Sequence, residues 1–131
     1  MNKDMLCTEQ EIALLVNTFY ARVTQDPLIG PIFDRHIQDW PAHLNKMVDF
    51  WSSTLRGTAR FRGMPMVTHS RLDGITQEHF QRWLALFRQT THDLDNAALR
   101  ERANDLSWRI AQSLWYGYQS SRQTDALPLT L

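Results

Sequence analysis

His69 lies in a short segment between two helix-breaking signals, after a polar loop, with Met66, Val67 and Leu72 around it. A neutral imidazole held there can ligate a metal through one nitrogen while the other donates to a backbone carbonyl. On its local surroundings alone, a partly exposed loop histidine is the more ordinary reading, with ligation the alternative. No second His, Cys or carboxylate lies near it at zinc spacing, and no His-Glu-x-x-His occurs. A metal at His69 would therefore take most of its ligands from a cofactor that brings its own donor atoms, as a porphyrin does. Three other side chains could meet a small ligand. His43 sits at the edge of a helical apolar stripe, in line with Met47 and Phe50. Tyr20 follows Phe19 on a core face, and Trp83 falls on the stripe of a later helix. Each is also an ordinary boundary or core residue for such a position. His36, His79 and His92 are expected to face solvent or end helices, with no role.

Much other chemistry is excluded. With a formal net charge of zero and no Lys/Arg block, the chain lacks the basic surface that displaces counterions from phosphates, so no nucleic-acid partner is expected. Cys7 is the only cysteine, which rules out an internal disulfide, a Cys-based zinc site and thioether attachment through Cys-x-x-Cys-His. No Ser/His/Asp arrangement and no Gly-rich phosphate loop is evident. The first five residues lack the apolar run of a signal peptide and no stretch reaches transmembrane length, so a cytoplasmic protein without membrane attachment is expected.

The elements that must position these residues read as helices. Thr8-Glu9-Gln10-Glu11 is a capping box, and Ile12, Leu15, Val16, Phe19 and Val23 then recur at helical spacing until Asp26-Pro27. A short helical turn follows around Gly30-Pro31. Asp39 caps a second long helix with the stripe Trp40, Leu44, Met47, Val48, Trp51 and Leu55, ended by Gly57. Residues 58–63 read as loop, and Pro65 opens the segment that holds His69, with Gly74 after it. Thr76 caps a third long helix (Phe80, Trp83, Leu84, Phe87), and Asp95 or Asn96 a fourth (Leu99, Leu106, Ile110, Leu114), with Trp108 and Trp115 on a neighbouring face. No period-2 stretch and no repeat occurs. The expectation is an all-α single domain over residues 1–131, with a core at about 8–119 and a frayed tail at 120–131. Five Trp and six Phe in 131 residues can line a cavity as well as fill a core.

Taken in order, six features resemble a truncated haemoglobin of the third group. They are Phe19-Tyr20, Gly30-Pro31-Ile32-Phe33, Trp40-x-x-His43, Phe50-Trp51, Pro65-x-x-x-His69 and Phe80-x-x-Trp83. The resemblance spans roughly residues 10–118, and the paired-glycine motifs of the other truncated groups are absent. It implies a shortened globin, two helix pairs packed two-over-two around haem b, with His69 as the proximal ligand of the iron. Tyr20 then matches the distal tyrosine that bonds the gas, His43 a gating or second polar residue, and Trp83 a tryptophan over the ligand. Phe19, Phe33, Met47, Phe50 and Trp51 would line the pocket, and Arg60, Arg62 and Arg71 are candidates for the propionates.

The implied activity is binding of diatomic gases (oxygen, nitric oxide, carbon monoxide). Two donors aimed at the ligand make slow release, and so nitric oxide dioxygenase-like or peroxidase-like chemistry with Tyr20, His43 and Trp83 fits better than oxygen transport. A reductase partner would belong to that reading, and nothing demands more than a monomer. Two alternatives stand beside it: a haem-based gas sensor signalling through a partner, and a cofactor-free helical interaction domain in which every aromatic is core.

Overall fold

Thr8 starts the first helix by the reciprocal exchange expected of it: its hydroxyl accepts from the Glu11 amide at 3.1 Å, and the Glu11 carboxylate accepts from the Thr8 amide at 2.8 Å. The computed structural model describes residues 6–122 and 125–130, which form six helices and no strand. These are α1 (Glu9–Gln25), α2 (Gly30–His36), α3 (Trp40–Arg56), α4 (Pro65–Ser70), α5 (Gln77–His92) and α6 (Ala97–Ser121). The other boundaries follow the expected signals. Asp39 and Asn96 accept from the amides three residues on, at 3.0 Å each, and Gly57 closes α3 in the left-handed region at φ 69°.

Helix α1 is the centre of the packing. Its stripe of Ile12, Leu15, Val16, Phe19 and Val23 is buried against α3 on one side and α5 on the other. Helix α5 pairs in turn with α6, and the short α4 lies on α6. The α1/α3 and α5/α6 pairs make the expected two-over-two arrangement of a shortened globin. One apolar cluster joins α1, α3 and α5; a second, around Phe80, Leu84 and Ala111, fills the α5/α6 side, with Trp83 packed against both. Among the described residues no helix is long and apolar enough to cross a membrane.

The turn from α1 into α2 is built on Asp26. Its carboxylate accepts from the amides of Leu28 and Ile29 at 3.0 and 2.9 Å and from Arg82 of α5 at 2.8 Å. Burial works against this charge, but the Ile29 and Leu28 amides and the Arg82 guanidinium outweigh it and hold the carboxyl below its ordinary pKa. Gly30 then lets α2 start hard against α1, since a Cβ there would come within 2.9 Å of the Val23 carbonyl oxygen. Replacing Asp26 with alanine strands two amide donors and an arginine, and should lower the unfolding free energy by about 2 kcal/mol at neutral pH. The sign with pH is fixed: a carboxyl with a depressed folded pKa stabilises above its unfolded value of 3.8 and loses that contribution as pH falls through the folded value. Denaturant midpoints at pH 7 and pH 3 should therefore differ less in the variant than in the wild type; equal differences would remove Asp26 from the acid response.

The tail corrects an expectation. Helix α6 runs to Ser121, and residues 125–130 do not fray but lie back along α5 and α6, with the Leu129 side chain 2% exposed among Phe80, Leu84 and Ala111. Fraying was expected because the segment has no periodicity. Its partners are glutamine side chains scattered over two helices, which no local pattern reveals. Residues 123, 124 and 131 of that expected tail lie outside the described residues.

Candidate functional site

Helix periodicity places the four chemically suggestive residues at one cavity. Phe19 and Tyr20 differ by about 100° around α1, so when Phe19 joins the core stripe, Tyr20 turns toward the space between α1, α2 and α3. His43, Met47 and Phe50 recur at single turns on α3 and face the same space; α4 brings His69 to it and α5 brings Trp83. The cavity has a volume of about 330 Å³ and is walled mainly by apolar side chains, among them Ile32, Phe33, Met47, Phe50, Trp51, Phe61, Leu72, Ile75 and Phe80. A mostly apolar cleft with a few convergent polar groups is the general form of a small-molecule or cofactor site.

Each polar group has a defined state. His69 Nδ1 lies 2.7 Å from the Pro65 carbonyl oxygen. Since a carbonyl can only accept, this bond selects the Nδ1–H tautomer and leaves the Nε2 lone pair as the ligating position. Burial lowers the His69 pKa, offset in part by the bond to Pro65, so the neutral imidazole is the favoured form. His43 is likewise lowered by burial, with the charges of Lys46 and His69 adding to the effect. Its ring stands perpendicular to that of Tyr20 at 5.0 Å, and its buried Nε2 meets no hydrogen-bond partner. Such an orphan costs about 1–3 kcal/mol unless something else supplies the partner. Burial pushes the Tyr20 phenol above its ordinary pKa, which keeps it a neutral donor.

Trp83 is held flat. It stacks on Phe87 at 5.5 Å and 10°, and Phe87 stacks on Trp51 at 5.1 Å and 23°. The segment after His69 is held from α6: Arg122 donates to the Ser70 carbonyl at 3.0 Å and to that of Leu72, while the Tyr118 hydroxyl accepts from the Ile75 amide at 3.1 Å.

Of the expected lining residues, Phe33, His43, Met47, Phe50, Trp51, His69 and Trp83 line the cavity together with Tyr20, and Phe19 does not. Phe19 is 2% exposed and sits behind the wall, edge-on to Tyr20, Trp83 and Phe87 at 4.9, 5.4 and 5.2 Å. It is a core residue because it shares the face of Ile12, Val16 and Val23. None of the three candidate arginines lines the cavity. Arg60 pairs with Glu9 at 2.6 Å and Asp49 at 3.1 Å, and Arg62 donates to the carbonyls of Ala59 and Phe61. Beyond His43, His69 and Trp83, the nitrogen-bearing side chains at the cavity are Lys46, His36 and His79. His79 also accepts the Thr76 amide on Nδ1 at 3.0 Å as part of the α5 cap. Sequence reasoning passed over these three, and also Ile110, Ala111 and Leu114 of α6. The one available signal was the helical step from His43 to Lys46 and Phe50. Among the described residues no three His, Cys, Asp or Glu side chains come together to hold a metal. An ion at His69 would therefore need further donors from a cofactor.

Comparison with known proteins agrees with this architecture. The family model for bacterial-like globins matches residues 4–114. The group 3 truncated haemoglobin ctb of Campylobacter jejuni is 31% identical over 117 residues, covering 84% of this chain and 92% of that protein. The crystal structure of a group III truncated haemoglobin from Campylobacter jejuni superposes with a TM-score of 0.78 at 30% identity, covering 82% of this chain and 88% of the other. The family match covers most of the chain, and the chain belongs to the bacterial-like globin family, similar within it to the group III truncated haemoglobins.

Proposed function

We propose that this globin would hold haem b in the cavity through His69 Nε2, and that it works on small gases rather than carrying them. The carrying observation is the His69 Nδ1 to Pro65 bond, which leaves one imidazole lone pair at the wall of an apolar cleft where the buried His43 Nε2 lacks a partner. These residues fit the cofactor: an apolar slot for the macrocycle, one nitrogen for the metal, and Lys46, His36 and His79 as candidates for carboxylate side arms. Bound haem would supply an iron that His69 would hold and that would take up oxygen, nitric oxide or carbon monoxide.

The chain's own residues supply the rest. Tyr20 stays protonated and donates its O–H to a ligand that gathers negative charge. Trp83, fixed by its stack on Phe87, offers an indole N–H. His43, neutral and beside Tyr20, can accept or pass a proton. The surrounding apolar side chains exclude water, which strengthens each of these bonds. Strong donors slow release, so reaction of the held gas is favoured over delivery. Nitric oxide plus oxygen plus one electron gives nitrate, and the electron is why a reductase belongs in this reading; peroxide is the other substrate of this class.

The test is to add nitric oxide to the reduced, air-equilibrated protein. Nitrate should form faster than oxygen is released. Release of oxygen without nitrate, together with no peroxide turnover, would leave gas binding alone.

A further inference from the structure

We infer that α5 and α6 form a peptide-binding groove, separate from the gas site, whose ligand is this chain's own residues 125–130 and whose occupancy holds one wall of the cavity in place. A glutamine amide carries one donor and one acceptor, the same pair that a backbone residue presents. Gln119 uses both on a single residue: the Leu127 amide donates to its Oε1 at 3.0 Å, and its Nε2 donates to the Leu127 carbonyl at 2.8 Å. Gln112 repeats this on Leu129, at 2.9 and 3.1 Å. On α5, Gln77 accepts from the Thr130 amide at 2.9 Å, and Gln81 donates to the Thr130 carbonyl at 2.5 Å. Four glutamines thus pair with the N–H and C=O of three residues, as a neighbouring strand would.

The pattern is that of a reader of extended chain. Residues 127 and 129 are two apart, the period at which an extended chain returns its backbone N–H and C=O to one edge. Gln119 and Gln112 are two helical turns apart on one face of α6, so the segment runs antiparallel to that helix. Pro128 between them has no N–H to satisfy and a ring that restricts the unbound segment, which lowers the entropy lost on docking. Specificity for an apolar side chain comes from Leu129, which enters the cluster of Phe80, Leu84 and Ala111. Phe80 and Ala111 present their other sides to the gas cavity. The segment therefore packs behind the α5/α6 wall of the site. Nothing in this inference requires haem to be bound.

Amide hydrogen exchange of the full-length protein without cofactor tests it. The amides of Leu127, Leu129 and Thr130 should be protected in the wild type. In Gln119→Glu, which keeps the acceptor and the volume but loses the donor, they should lose protection, and residues 110–114 should exchange about tenfold faster while α1 and α3 stay unchanged. In a chain ending at Arg122, a synthetic peptide of residues 125–131 at millimolar concentration should restore protection at 110–114. Tail amides that exchange freely in the wild type would overturn the inference. So would a Gln119→Glu variant with unchanged exchange at 110–114, and the full-length variant decides the matter if the shortened chain does not fold.

Discussion

Replacing Tyr20 with phenylalanine should make oxygen leave the protein at least about tenfold faster. The change removes one hydroxyl and keeps the ring, whose edge contacts with Phe19, Phe33 and His43 at 4.9–5.8 Å would persist, so the effect is confined to the donor. Burial keeps that phenol protonated, and no described protein group accepts its proton. A hydrogen bond to a charged acceptor is worth about 1.5–3 kcal/mol, and each 1.4 kcal/mol is a factor of ten. Stopped-flow oxygen dissociation from the two proteins checks it. An unchanged rate would take Tyr20 out of ligand stabilisation and leave Trp83 as the main donor.

The largest effect on stability is expected from Phe87→Ala. Phe87 is 1% exposed and lies between Trp83 and Trp51 in a stack of three rings, with Phe19 edge-on at 5.2 Å. Truncation removes the middle of that column and leaves a cavity that rigid indoles cannot fill, at a cost of about 3–5 kcal/mol. Because Trp83 and Trp51 both line the cavity, the same change should loosen the site as well as the fold. Guanidinium unfolding of the cofactor-free protein measures the first effect. A loss below about 1 kcal/mol would mean that the stack closes up around the gap.

How much of this was legible beforehand depended on whether the signal was local. The helix starts at Thr8, Asp39 and Asn96 were readable because a cap and its helix are adjacent in the chain. His43, Met47 and Phe50 were placed on one face because helical period alone does that. Phe19 shows the limit: the motif names it beside Tyr20, yet one residue's rotation about α1 puts Tyr20 on the cavity and Phe19 in the core. The arginines show another. Arg60 looked free for a carboxylate until the fold brought Asp49 and Glu9 to it, the Glu9 pairing spanning 51 residues with no trace in local sequence. The glutamine contacts with residues 125–130 were hidden for the same reason, since four glutamines on two helices form no motif until the helices pack. Likewise, Arg122 and Tyr118 steady the backbone after His69 from the far end of α6, which spacing around His69 could not disclose.

Whether His69 ligates the iron of a haem held in this cavity is decided by an absorption spectrum of the haem-supplemented protein, wild type beside His69→Ala. The wild type should show a strong Soret band that is lost or shifted in the variant, while α-helical circular dichroism is retained. A wild type that takes up no haem, or a variant whose band matches the wild type, would contradict it.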